Sequence, residues 1–130
     1  MKEMQSFLMF FYILDQCYEI CPENDLGGFL GTISPELWTD GRPIDQAVYY
    51  DWKTQNDVSL INRQNITDSI LKFLVFYENY KYNFSKTKIV LRDVVDKKMI
   101  QAAIDKTDIL YQRYNYDNED RVFQKELWKF

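Results

Sequence analysis

The segment ILKFLVFY, residues 70–77, is apolar at every position but Lys72. Eight such residues suit either a fully buried strand or a helix buried nearly all round, because an unbroken apolar run carries no period of its own. Its flanks favour the helix. Thr67 or Asp68 supplies an N-terminal cap, and the polar continuation ENYKYN lengthens the segment beyond an ordinary strand. The spacing predicts a helix over residues 66–83, the most buried one of a bundle. A strand here would make the fold α+β, and TKIVL at residues 87–91 is the second place where a short strand fits.

The rest of the chain agrees with helices. In residues 2–21, Met4, Phe7, Leu8, Phe11, Leu14, Tyr18 and Cys21 fall on one side, and Lys2, Gln5, Gln16 and Glu19 on the other. That stripe is wide enough to meet more than one neighbour, and Pro22 closes the segment. From residue 89 to 114, Leu91, Val95, Met99, Ala102, Ala103, Leu110 and Tyr114 recur at three- and four-residue spacing. YNYDNED then reads as a loop, and RVFQKELWKF as a last amphipathic turn or two. The expectation is a small all-α bundle of one domain, residues 1–130, with Phe7, Phe11, Leu14, Phe73, Leu74 and Tyr77 buried.

All four glycines and two of the three prolines lie within residues 25–52. The pattern is neither Gly-x-Gly-x-x-Gly nor Gly-x-x-x-x-Gly-Lys, so it is no phosphate cradle. It reads as a chain of corners. Asp25 caps a short helix whose apolar face is Leu26, Phe29, Leu30 and Ile33. Gly27 and Gly31 let another backbone lie close beside it. Ser34-Pro35 starts a further turn, and Asp40-Gly41 is a tight turn. Asp45 caps the next helix, which presents Val48 and Trp52 one turn apart.

Composition narrows the function classes. The chain has 46% apolar and 17% aromatic residues, which suits a packed domain rather than a disordered chain. It has no histidine, the commonest general base and metal ligand. Cys17 and Cys21, four apart on one helix, read as reduced thiols of a cytoplasmic protein rather than a disulfide or zinc site. The apolar run near the start lacks the features of a secretory signal, and no stretch is long enough to span a membrane. Residues 1–60 carry ten acids and three bases, whereas residues 61–130 carry ten acids and thirteen bases. The front half is therefore an acidic surface suited to a basic partner.

Asp25-Leu26-Gly27-Gly28-Phe29-Leu30-Gly31, then Asp40-Gly41-Arg42-Pro43-Ile44-Asp45, then Ala47 and Asp51-Trp52, resembles a family of small acidic bacterial proteins. That family comprises immunity proteins of polymorphic and contact-dependent growth-inhibition toxin systems. The likeness covers residues 25–52 and the helix before them. Two positions depart from it: Asn24, where a second Asp is usual, and Gln46, where Pro is usual. It implies a cytoplasmic inhibitor that binds one cognate toxin domain, with Gly27, Gly28, Gly31, Gly41, Pro43, Asp45 and Trp52 as structural marks. Such an inhibitor needs no catalytic residue, metal or cofactor. The acids available to contact a basic toxin are Glu19, Glu23, Asp25, Glu36, Asp40, Asp51 and Asp57.

Two other classes are weighed beside it. A nucleic-acid binder or adaptor would use residues 77–98, where bases interleave with Tyr82 and Phe84; the overall acidity opposes this. An enzyme would use carboxylate pairs such as Asp93/Asp96 or Asp105/Asp108, but each pair has a lysine beside it and reads as ordinary helix surface.

Overall fold

The computed structural model describes residues 1–37 and 46–114. Asp40, Gly41, Pro43, Asp45 and the segments expected beyond residue 114 lie outside the described residues. Among the described residues six α-helices follow one another: α1 (Glu3–Ile20), α2 (Asn24–Ile33), α3 (Gln46–Gln55), α4 (Ile66–Glu78), α5 (Ser85–Asp93) and α6 (Lys97–Tyr114). Short 3-10 turns at Pro35–Leu37 and Val58–Leu60 flank α3. Among the described residues there is no strand, so the all-α expectation holds. TKIVL lies within α5.

The buried centre is α1, not α4. Every residue from Ser6 to Leu14 is buried, because α2, α3, α5, α6 and the turn at Val58–Leu60 all pack against this helix. A helix enclosed on all sides has no use for a polar face, which is why SFLMFFYIL is continuous. By contrast α4 buries one face, Ile66, Ile70, Phe73, Leu74 and Tyr77, while Val75 is 55% exposed. The six expected core residues, Phe7 to Tyr77, are all buried.

Two helix ends differ from the spacing. Helix α4 stops at Glu78 rather than at residue 83: the Asn79 N–H donates to the Phe76 and Tyr77 carbonyls, and Lys81, with φ of 72°, reverses the chain. The long helix expected at 89–114 is two helices. Val94 and Val95 are both β-branched and weak helix formers. The Asp96 carboxylate then accepts the Met99 N–H at 2.9 Å and starts α6 as its cap.

An aromatic cluster joins α1 to its neighbours. Phe10 stacks on Trp52 with centroids 4.6 Å apart and meets Phe73 edge-on at 5.1 Å and Phe29 at 6.2 Å. The Trp52 indole N–H donates to Ser6 Oγ at 2.9 Å, and that hydroxyl donates to the Glu3 carbonyl at 2.8 Å. Trp52 is thus a core residue with its polar atom satisfied. Val48 is buried one turn before it, as expected.

The glycines of α2 act differently from the expectation. Leu26, Phe29, Leu30 and Ile33 do form its buried face. A Cβ on Gly27 would stand 2.8 Å from the ring of Tyr18 on α1, a side chain rather than a backbone. At Gly28 and Gly31 a Cβ would meet nothing within 4 Å. Gly31 is therefore not a close-packing glycine; it faces solvent in the last turn of α2, where glycine is less favourable than alanine. Gly31→Ala is expected to raise stability by about 0.5–1 kcal/mol. A urea melt reads this as a higher midpoint at unchanged slope; a lower midpoint would restore the packing role.

Candidate functional site

The seven acids expected at an interface separate into those that hold the fold together and those that do not. Asp25 does not cap α2. Its carboxylate reaches across to the turn before α5 and accepts the Asn83 N–H at 2.6 Å. Glu23 occupies the N-cap position of α2, yet its side chain makes no cap there. It caps α5 instead. One oxygen accepts from the Thr87 N–H at 3.1 Å and the Thr87 hydroxyl at 3.0 Å. The other accepts from the Lys86 N–H at 3.2 Å and Ser85 Oγ at 3.4 Å. A carboxylate here satisfies orphan donors and suits the positive end of the helix.

Asp51 and Asp57 are also engaged. The Tyr77 hydroxyl donates to Asp51 at 2.7 Å, joining α3 to α4. Asp57 accepts from Ser59 N at 3.2 Å and Ser59 Oγ at 2.6 Å, which caps the 3-10 turn at Val58–Leu60. The carboxylates of Glu23, Asp25 and Asp51 thus join elements of the fold, and that of Asp57 caps its own turn. Asp40 lies outside the described residues.

Glu19 and Glu36 remain. Both are exposed, one near the end of α1 and the other in the turn at Pro35–Leu37. Half-buried Asp15, one helical turn before Glu19, joins them. Burial pushes the Asp15 carboxyl up, and the charges of Glu19 and Glu36 push it the same way against the pull of Lys106. The Tyr12 hydroxyl is pushed up to about 12, first by burial and then by Glu36 and Asp15, with Arg113 opposing. Glu19 and Glu36 thus both act on Asp15 near one end of α1, with the cation Lys106 among them. Asp15 was not among the expected contacts. Its signal was there, since it stands four residues before Glu19 where the apolar run ends.

Beside this patch a groove of about 210 Å³ runs between α1, the turn at Pro35–Leu37 and α6. Tyr12 and Glu36 line it together with Pro35, Ile109, Leu110 and the cations Lys106 and Arg113. The Lys106 ammonium lies 5.6 Å from the centre of the Tyr12 ring, an arrangement that favours a cation on an aromatic face.

Elsewhere the chemistry is quieter. Both cysteines are free thiols, and burial pushes the Cys17 thiol up to about 12, which keeps it protonated and unreactive at neutral pH. Among the described residues, no three His, Cys, Asp or Glu side chains lie where they could hold a metal ion. A groove of about 640 Å³ lies between the starts of α4 and α6, with Arg63 and Lys97 on its walls; the Arg63 guanidinium donates to Gln101 at 2.7 Å. In the aromatic and basic stretch at residues 77–98 two rings are buried, Tyr77 and Phe84, while Tyr80 is 60% exposed. Phe84 is buried and Tyr82 stacks on it at 5.3 Å, while Lys88 pairs with Glu78 at 2.6 Å. Tyr82 and Phe84 thus pack with the core. No described helix is long and apolar enough to cross a membrane. No protein-family model, curated protein or solved structure matches this chain.

Proposed function

We propose that this chain is an immunity-type inhibitor, which neutralises a cognate toxin domain in the cytoplasm by forming a stoichiometric complex. The observation that carries the reading is the patch of Asp15, Glu19 and Glu36. Glu19 and Glu36 both act on Asp15 near the end of α1, with Lys106 opposing them, while Glu23, Asp25, Asp51 and Asp57 are engaged in the fold. Negative charge gathered on one surface attracts a basic partner and steers its approach. The motif likeness across residues 25–52 supports the same class of protein.

The test is a titration against the variable C-terminal domain of the large secreted protein expected in the neighbouring open reading frame. Neutralisation should be complete at one equivalent; neutralisation far below one equivalent would sink the inhibitor reading and indicate turnover. Association should slow as salt rises, because exposed charges reach only about 8 Å at physiological ionic strength. Glu19→Lys and Glu36→Lys should each slow association several-fold, and Asp105→Lys and Asp108→Lys on α6 should do so less. Equal effects from both pairs, or a rate indifferent to salt, would overturn the electrostatic account. Glu23 and Asp57 are unsuitable for such charge reversals, since both carboxylates hold backbone N–H groups.

A further inference from the structure

The groove of about 640 Å³ between the starts of α4 and α6 has an apolar part and a charged part. Val95 and Ile100 line it and pack, half-buried, against the core. Arg63 and Lys97 bring two cations to its walls, and Thr67 brings a hydroxyl. Asp96 is the one carboxylate among the lining residues, and it is already engaged: it accepts the Met99 N–H at 2.9 Å, at the positive end of α6. The two cations have no such commitment. Among the described residues neither Arg63 nor Lys97 has an ion-pair partner. Asp108 lines a neighbouring groove that Arg63 also borders, yet the two are not paired. The Arg63 guanidinium donates instead to Gln101 Oε1 at 2.7 Å, and the Gln101 amide donates in turn to Asp105 at 2.9 Å. A neutral group therefore orients the guanidinium without cancelling its charge, and its remaining donors stay free.

We propose that this groove binds a small organic phosphate ester: Arg63 and Lys97 hold the phosphate, Thr67 adds a hydroxyl donor, and Val95 and Ile100 pack the apolar body. Two cations against one carboxylate leave the walls net positive, so an anion is the favoured ligand. A phosphate ester suits them better than a carboxylate. It carries about two negative charges near neutral pH and three terminal oxygens, so a guanidinium fork and an ammonium each find their own acceptor. A groove of this volume accommodates a whole small molecule, and its apolar residues have no use for a bare ion. The site shares no lining residue with the groove beside Tyr12, and it stands or falls independently of the inhibitor reading.

The test is an amide NMR titration of the full chain with phenyl phosphate, beside benzoate, inorganic phosphate and an oligothymidylate. Phenyl phosphate should produce saturable shifts at Thr67, Val95, Lys97 and Ile100. Inorganic phosphate, which lacks the apolar body, should bind about tenfold more weakly, and benzoate about fivefold more weakly. Arg63→Gln and Lys97→Gln, both at exposed positions, should each weaken phenyl phosphate binding about tenfold. Gln101→Glu keeps both cations but gives Arg63 a fixed counter-charge, and should weaken binding about fivefold; it serves as the second variant if Arg63→Gln fails to fold. Shifts elsewhere with none in the groove, or unchanged affinity in a folded variant, would overturn the proposal. Inorganic phosphate binding as tightly as phenyl phosphate would overturn the role of Val95 and Ile100, and equal binding of benzoate would overturn the choice of phosphate. An oligothymidylate that binds more tightly than phenyl phosphate would overturn the small-molecule assignment in favour of a nucleic-acid strand.

Discussion

Phe10→Ala is expected to cost about 3–5 kcal/mol, most of the stability that a domain of this size commonly has. Phe10 is fully buried and its ring meets four others: Phe7, Phe29, Trp52 and Phe73. Deleting it removes its transfer free energy and leaves a cavity among rings. These cannot all move inward, because Trp52 is tethered to Ser6 through its indole N–H. The melting temperature should fall by about 10–20 °C, or the protein should be partly unfolded at 25 °C. Phe11 is buried too, but its ring meets Tyr12 near the groove, where neighbours have more room to relax, so the same change there should cost less. Calorimetry of the two variants checks the order. A Phe10→Ala loss below about 1 kcal/mol would mean that the cluster repacks without strain.

Glu23→Ala should be the most damaging change at an acidic position, at about 2–3 kcal/mol. It strips the cap from α5 and leaves the Thr87 hydroxyl, on a residue with no exposed surface, without the oxygen it donates to. Glu23→Gln keeps one accepting oxygen but loses the charge at the helix end, and should cost about half as much. Chemical denaturation gives the magnitude. Hydrogen exchange gives the location, since the first amides of α5 should lose protection before those of α1. A variant as stable as the parent would show that water replaces the carboxylate at no loss.

The helical class was legible because it depends on local periodicity, and ILKFLVFY was resolved by its flanks rather than by its own residues. What the spacing did not convey was which helix the others surround. Treating residues 2–21 as a stripe with a solvent side leaves Phe10 off the apolar face, yet Phe10 is the hub of the aromatic cluster. A helix enclosed on every side obeys no stripe. The join between α5 and α6 was missed because Asp96 looks like any surface acid until its carboxylate is seen on the Met99 N–H.

The acids show the limit more sharply. Glu23, Asp25, Asp51 and Asp57 read alike in a row of letters, as solvated charges open to a partner. What distinguishes them from Glu19 and Glu36 is the donor that each finds. For Glu23 that donor lies 64 residues further along, at Thr87. Spacing within one helix carries no record of such a long closure. The groove beside Tyr12 is equally non-local, since α1, the turn at Pro35–Leu37 and α6 approach one another only in the finished fold.

The enclosure of α1 also bears on how the chain is made. This helix contains the longest apolar stretch described, and it is synthesised before every element that covers it. One of its main neighbours, α6, ends at Tyr114, some 94 residues after Ile20 closes α1. At about 5–20 residues per second, that separation leaves SFLMFFYIL uncovered for about 5–20 s of each round of translation. Over that interval the nascent segment is a ready target for chaperones and a point at which incomplete chains can associate. In an overexpressing cell, the yield of native protein should therefore depend more on the speed of elongation through residues 21–114 than on the final stability of the folded domain.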